Sequence, residues 1–300
     1  MGDGKWLNCR LSDIEERLDE QGHKVSIPVI SRLLRERDYR LHVNVKEVAG
    51  QHEPDRDVQF QYIFEQRTQH QTARQPALSI DGKKKELIGN FKNPGRIWGQ
   101  EPERVNVHDF PQDAVGRAVP YGLFDLSNNR GILYIGQSAD TPAFAVDNIV
   151  RWCETERLLY FPNASHLMLE ADCGGSNSYR SRVWKRDLQV KVVDAFGLIV
   201  TVCHYPTGAS KWNPIEHRLF SEISKTWVGC PLRSFDLMLG YIRDTKTQTG
   251  LTVQAYLVTQ SYETGVKVPD AEMTALNIKY HEVCPRWNYT IYPRSALLTN

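Results

Sequence analysis

Three acidic residues, Asp81, Asp172 and Glu216, stand where a chain can aim carboxylates at one point. Asp81 closes the apolar run Pro76-Ala77-Leu78-Ser79-Ile80, and Asp172 closes His166-Leu167-Met168-Leu169-Glu170-Ala171. Aspartate is poor strand material, so at a strand end it is either a turn former or a functional group. Behind Asp172 come Cys173-Gly174-Gly175-Ser176. Two glycines there permit a sharp turn and close backbone approach to a ligand, although a plain loop capped by Ser176 fits as well. Glu216 follows Asn213, an expected N-cap, and Pro214, an expected first helical residue; a glutamate at that offset also suits a capping box. Converging carboxylates are what phosphodiester chemistry with two divalent cations about 4 Å apart requires. Two Mg²⁺ ions, with Mn²⁺ as substitute, suit such a site because magnesium takes hard oxygen ligands and keeps several waters.

Cations and aromatics flank the three acids. Lys83, Lys84, Lys85, Arg180, Lys211 and Arg218 are candidates to neutralise phosphates, and Trp98 and Trp212 to stack on bases. Each has an ordinary alternative, a solvated charge or a core tryptophan. His204 and His217 are candidates to position water, against a satisfied structural histidine.

The elements that would hold these residues are legible in outline. Leu11, Ile14 and Leu18 form one stripe, closed by Gly22. Ser26 and Pro28 can open a second helix with Ile30, Leu33 and Leu34 inward and Arg32 and Arg35 outward. Helix, turn, helix with outward arginines is the pattern that places a second helix in a major groove. Residues 1–45 are therefore expected to be a helix-turn-helix-like DNA-binding region. Residues 46–75 are expected to carry a linker helix around Val58, Phe60, Tyr62, Ile63 and Phe64. From 76 to 300 the grammar changes. A strand ends at Asp81, and Glu86–Phe91 is expected to pair with it. A long polar loop follows, then strands 119–125 and 131–136 around the turn Ser127-Asn128-Asn129-Arg130. Next come a helix over 141–156, a strand over 166–172, a helix over 176–196 and a strand over 198–204. Helices over 213–227 and 234–246 close the run. This α/β order, a three-strand meander followed by alternating helices and strands, is that of a ribonuclease-H-like mixed sheet with helices on both faces.

Composition bounds the rest. Hydrophobic content of 41% supports a sizeable core, and a formal net charge of +1 leaves any phosphate binding to local patches. The six cysteines are scattered without a C-x-x-C pair, which argues against a zinc ribbon or a disulfide framework and suits a reducing compartment. No apolar run approaches the ~18 residues that cross a membrane. A soluble cytoplasmic protein without a membrane partner is expected.

Several long motifs together resemble one family. They are Asp81-Gly82-Lys83-Lys84-Lys85-Glu86-Leu87-Ile88-Gly89-Asn90-Phe91, Ala171-Asp172-Cys173-Gly174-Gly175-Ser176-Asn177, and Ser210-Lys211-Trp212-Asn213-Pro214-Ile215-Glu216-His217-Arg218. Gly265-Val266-Lys267-Val268-Pro269-Asp270 and Trp287-Asn288-Tyr289-Thr290-Ile291 lie nearer the C-terminus. The chain resembles ISAzo13-type insertion-sequence transposases over nearly its whole length. The resemblance implies a DDE catalytic core with Asp81, Asp172 and Glu216 as its triad, and an N-terminal DNA-binding region that is short here and expected to be truncated. It implies a DNA transposition and recombination enzyme, acting on double-stranded DNA at element ends and target, associated with the nucleoid and assembling as a homo-oligomer on DNA. Gly82 and Cys173 depart from the family's threonine and glycine. The competing expectation is a truncated, non-catalytic DNA-binding relic; a structure-selective nuclease on the same fold is a weaker one.

Overall fold

The computed structural model describes residues 10–40 and 54–294. Its contacts divide the chain into two compact units, Met1–Ala49 and Gly50–Asn300. Gln51, His52 and Glu53, read as part of a linker, lie outside the described residues.

In the first unit α1 (Leu11–Glu20) and α2 (Ile27–Glu36) are joined by a turn in which Gly22 takes φ +83°, a conformation glycine adopts without a Cβ penalty. Leu11, Ile14 and Leu18 are half-buried and Ile30 is buried, as their spacing predicts. Leu33, expected on the inner face, is instead exposed; Leu34, one position on, takes the half-buried place. Ser26 occupies the N-cap position of α2 without a side-chain capping bond.

The second unit opens with α3 (Arg56–Thr72), which packs on the sheet. Buried Ile63 faces the core, and Arg67 donates to both oxygens of fully buried Glu170 at 2.6 and 2.5 Å, which ties the helix to a central strand. There follow β1 (Ala77–Gly82), β2 (Glu86–Ile88), β3 (Gly116–Asp125) and β4 (Arg130–Gly136). α4 (Pro142–Glu154), α5 (Glu156–Tyr160) and β5 (His166–Ala171) come next. α6 (Arg182–Asp187) continues into a wide π-helical stretch, Leu188–Asp194, ahead of β6 (Ile199–His204). A second π-helical stretch, Glu216–Phe220, runs into α7 (Ser221–Thr226). The described chain ends through α8 (Phe235–Arg243), β7 (Thr252–Val258), α9 (Asp270–Thr274), β8 (Ile278–Tyr280) and β9 (Asn288–Ile291).

The strands form one sheet in the order β7-β4-β3-β1-β5-β6-β9-β8. β3 runs antiparallel to β1 and β4, while β5 and β6 run parallel to β1. That central order, an antiparallel meander on one side of β1 and two parallel crossovers on the other, is the ribonuclease-H-like fold. Two cores fill the two faces. One joins Phe144, Ile149 and Trp152 of α4 to Trp184, Leu188 and Val192. The other joins Ile63 to Ile215, Leu219, Phe220, Ile223, Met238 and Ile242.

Three expectations need correction. Glu86–Ile88 pairs with β3, not with β1. Lys83 donates its N–H to the Pro120 carbonyl at 2.9 Å, so the chain leaves β1 along β3 and the next strand continues on that partner. The helix expected from Ser176 begins only at Arg182, because Gly175–Asn177 forms a separate 3₁₀ turn and Ser181 is the residue whose hydroxyl caps, accepting from Trp184 N–H at 3.2 Å. Strands β7, β8 and β9 extend the sheet on both edges beyond the elements read from periodicity.

Candidate active site

Strand register brings the first two carboxylates together. Ile80 lies opposite Ala171 across the parallel β1–β5 pair, so the residues that follow, Asp81 and Asp172, leave neighbouring strands side by side. Ala171 in turn lies opposite His204 on β6. Asp81 is only 7% exposed, and its Oδ1 accepts the Gly82 N–H at 2.7 Å.

Glu216 is delivered from the helix that covers this face. Buried Asn213, expected to cap that helix with its side chain, instead ties it to β1. Its Oδ1 accepts from the Ser79 hydroxyl, and its Nδ2 donates to the Ile80 carbonyl at 3.3 Å. Ser79 Oγ itself accepts the Ile215 N–H at 3.0 Å, so the start of the helix is fixed two residues from Asp81. Glycines let it lie close. A Cβ on Gly122, opposite Asp81 in β3, would fall 2.5 Å from the Phe220 ring and 2.9 Å from Ile215. One on Gly131 would fall 2.2 Å from Leu219. Glu216 follows Ile215 on this helix, and its carboxyl is near enough to that of Asp81 to raise its affinity for protons.

The electrostatics follow from this crowding. Burial first, and then the charges of Asp172 and Glu216, raise the Asp81 carboxyl far above the ordinary range. Asp172 is also raised, chiefly by burial and further by Glu216 and Asp140, while the Gly174 N–H and the Asn177 amide favour its charge. Asp172 Oδ1 is buried with no hydrogen-bond partner. Such a set of hard oxygen donors, mutually repelling and one of them orphaned, fits a divalent cation. Among the described residues, however, no three His, Cys, Asp or Glu side chains already close around a common metal position. Asp81 Oδ1 is instead taken by the Gly82 N–H.

The flanking residues divide. Lys83 is not a surface cation: its side chain is 10% exposed, with Nζ 3.6 Å from Glu86 and 4.9 Å from the Trp227 ring centre. Lys84 and Lys85 are exposed and line a cavity of about 260 Å³ with Lys92 and Asp109. Arg180, stacked on Tyr179, lines a groove of about 300 Å³ that starts at Asp172. Lys211 and Trp212 are exposed next to one another, the tryptophan edge-on to Phe60 of α3. Arg218 turns away from the carboxylates, lying over Phe124 and donating to Asn129 at the far end of β3. Arg32 and Arg35 are exposed on α2 in the first unit, Arg32 paired with Glu36. Trp98 is fully exposed.

His204 is buried: its Nδ1 bonds the Asp172 carbonyl at 2.9 Å, and burial pushes the ring down to about 4. His217 bonds the Lys211 carbonyl. Sequence reasoning missed Asp140, whose charge bears on Asp172, and Tyr121, whose hydroxyl donates to Asn177 at 2.6 Å beneath Asp172. A tyrosine inside an apolar strand and an aspartate just before an N-cap threonine carry no signal by themselves.

The family model of the Rhodopirellula transposase DDE domain matches residues 2–293. No curated protein matches the sequence. Among solved structures, the Mos1 transposase paired-end complex with the left transposon end is 13% identical, with a TM-score of 0.43 over 79% of this chain and 70% of that one. The Mos1 strand transfer complex is 12% identical, with a TM-score of 0.44 over 81% and 72%. The Mos1 mariner paired-end complex with Mn is 14% identical, with a TM-score of 0.42 over 79% and 71%. At that distance the fold assignment rests on the strand order.

Proposed function

Because the chain belongs to the family of the Rhodopirellula transposase DDE domain, a family of DNA-cleaving and strand-transferring enzymes, we propose that Asp81, Asp172 and Glu216 are the carboxylates with which it does this chemistry. The observation that carries the reading is their convergence: from two adjacent strands and one covering helix, Asp172 and Glu216 lie close enough to Asp81 to raise its affinity for protons, and Glu216 acts on Asp172 in the same way. That arrangement costs stability unless cations use it. Two Mg²⁺ ions, or Mn²⁺ in their place, would supply an activated nucleophile and charge neutralisation at the leaving oxygen. Asp81 and Asp172 would hold them from the rigid sheet, and Glu216 from the helix. His204 and the Asn177–Tyr121 pair keep Asp172 in position.

The substrate is double-stranded DNA, first at the element's ends and then at the target. Arg180, Lys84, Lys85 and Lys211 meet phosphates beside the site, Trp212 offers a stacking face, and Arg32 and Arg35 of α2 contact the end sequence in a groove. Synapsis of two ends calls for at least two copies of the chain, working at the nucleoid. Among the described residues no helix is long and apolar enough to cross a membrane.

The test is cleavage of a duplex carrying the element's end, in Mg²⁺, by Asp81→Asn, Asp172→Asn and Glu216→Gln. Each variant is expected to lose roughly a thousandfold in rate, the size of several kcal/mol of lost transition-state stabilisation, while still shifting the duplex in a gel. Retained cleavage in any of them removes that residue from the triad. A wild-type chain that binds the duplex but cuts it in neither Mg²⁺ nor Mn²⁺ is the relic instead.

A further inference from the structure

Asp140 lies between β4 and α4, one residue ahead of the helix's N-cap. Capping does not occupy it, since Thr141 is the N-cap and its hydroxyl accepts the Phe144 N–H at 3.2 Å. The side chain is 22% exposed. Its Oδ2 lies 3.6 Å from Lys85 Nζ, beyond ordinary hydrogen-bond length, and its Oδ1 is buried with no partner at all. Two observations put it at the carboxylate cluster. A Cβ built on Gly82, the residue after Asp81, would stand 3.8 Å from Asp140 Oδ2. Its charge also reaches Asp172 and the Tyr121 hydroxyl, the same hydroxyl that feels Asp81 and Asp172. α4 packs against the Gly175–Asn177 turn behind Asp172, so the position is fixed by regular structure on both sides.

We propose that Asp140 is a fourth metal-holding carboxylate, which completes the cation site from the α4 side next to Asp172, with Lys85 as its outer counter-ion. The proposal rests on the triad reading above and extends it. An unpaired carboxylate oxygen buried among like charges is costly, and burial leaves it no water to replace the missing bond. Asp140 Oδ1 and Asp172 Oδ1 share that condition. A divalent cation held by both residues would satisfy these atoms and would give a role to an acid that the helix does not use. Three carboxylates leave a two-cation site reliant on water for most of its ligands; a fourth lets the protein fix the second cation before DNA arrives.

Titration calorimetry of the full chain with MnCl₂ tests this without turnover, on wild type, Asp140→Asn, Asp140→Glu and Asp81→Asn. Asp140→Asn is expected to weaken Mn²⁺ binding at one of two sites by about tenfold or more, and Asp140→Glu to keep most of it. Thermal melts without metal are expected to place Asp140→Asn no lower than wild type, which separates lost binding from lost fold. Wild-type Mn²⁺ binding by Asp140→Asn overturns the fourth ligand and leaves the triad standing. Wild-type binding by Asp81→Asn overturns the triad and this proposal with it.

Discussion

At Asp81 two costs of ionisation add, a side chain almost out of water and two carboxyls next to it. Together they push the group up to about 8. An acid whose folded value lies above its unfolded value binds its proton more tightly when folded. Its contribution to stability is therefore complete below about 4 and disappears as pH rises to about 8. His204 has the opposite slope, because a buried neutral ring held at about 4 loses its contribution as pH falls from about 6.5. The informative quantity is then the difference between wild type and Asp81→Asn, in which His204 cancels. Without divalent metal, the variant is expected to gain thermal stability over wild type progressively from pH 5 to 8. Saturating Mg²⁺ is expected to reverse the order, since the cation binds the deprotonated carboxylates and only wild type retains them all. Melts that leave the difference flat with pH would mean that Asp81 ionises freely and does not belong to a repelling cluster.

Among the elements, the helix that begins at Pro214 decides whether a triad exists, and its approach is set by absent side chains on β3 and β4. In Gly122→Ala the new methyl meets Phe220 and Ile215, which must shift for the helix to stay. Overpacking of this kind costs about 1–3 kcal/mol in denaturant unfolding. Because the displaced residues flank Glu216, cleavage is expected to fall by more than the stability loss explains; unchanged cleavage in a destabilised Gly122→Ala chain would show that the helix start is held by Ser79 and Asn213 alone. The same region marks how far sequence reading reaches. Strands ending in Asp81 and Asp172 were legible because an apolar run closed by an acid and glycines breaks its own pattern. The helix after Asn213 was legible from its cap and proline. What Asn213 and Ser79 do was not, since their bond joins residues 134 apart and leaves no local trace. β2 looked like a partner of β1 because it follows it, whereas the pairing was decided by β3, which comes after a long loop. The shift of the helix start to Ser181 was hidden for a similar reason, as Ser176 and Ser181 are equally good caps in isolation. Asp140 was passed over because an acid before an N-cap reads as solvated loop.

For the whole molecule the question is whether recognition and chemistry are separable. Among the described residues, the buried members of both hydrophobic cores run from Ile63 to Ile291. The described part of residues 50–300 thus carries both cores, helices on the two faces of one sheet, and Asp81, Asp140, Asp172 and Glu216. A chain beginning at Gly50 is expected to unfold in one cooperative transition and to bind Mn²⁺ as the full chain does. Its net affinity for DNA rests on scattered cations beside the site, because a chain with a formal net charge of +1 has no overall field to draw DNA in. Such contacts position a duplex without reading it. If α1 and α2 supply the reading, competition gels with end and unrelated duplexes will show the preference for the end lost in the shortened chain, by about a thousandfold or more, while non-specific affinity and its salt dependence change little. A shortened chain that still prefers the end sequence would place recognition within residues 50–300, where the exposed Lys211 and Trp212 and the groove at Arg180 would be the surfaces to test next.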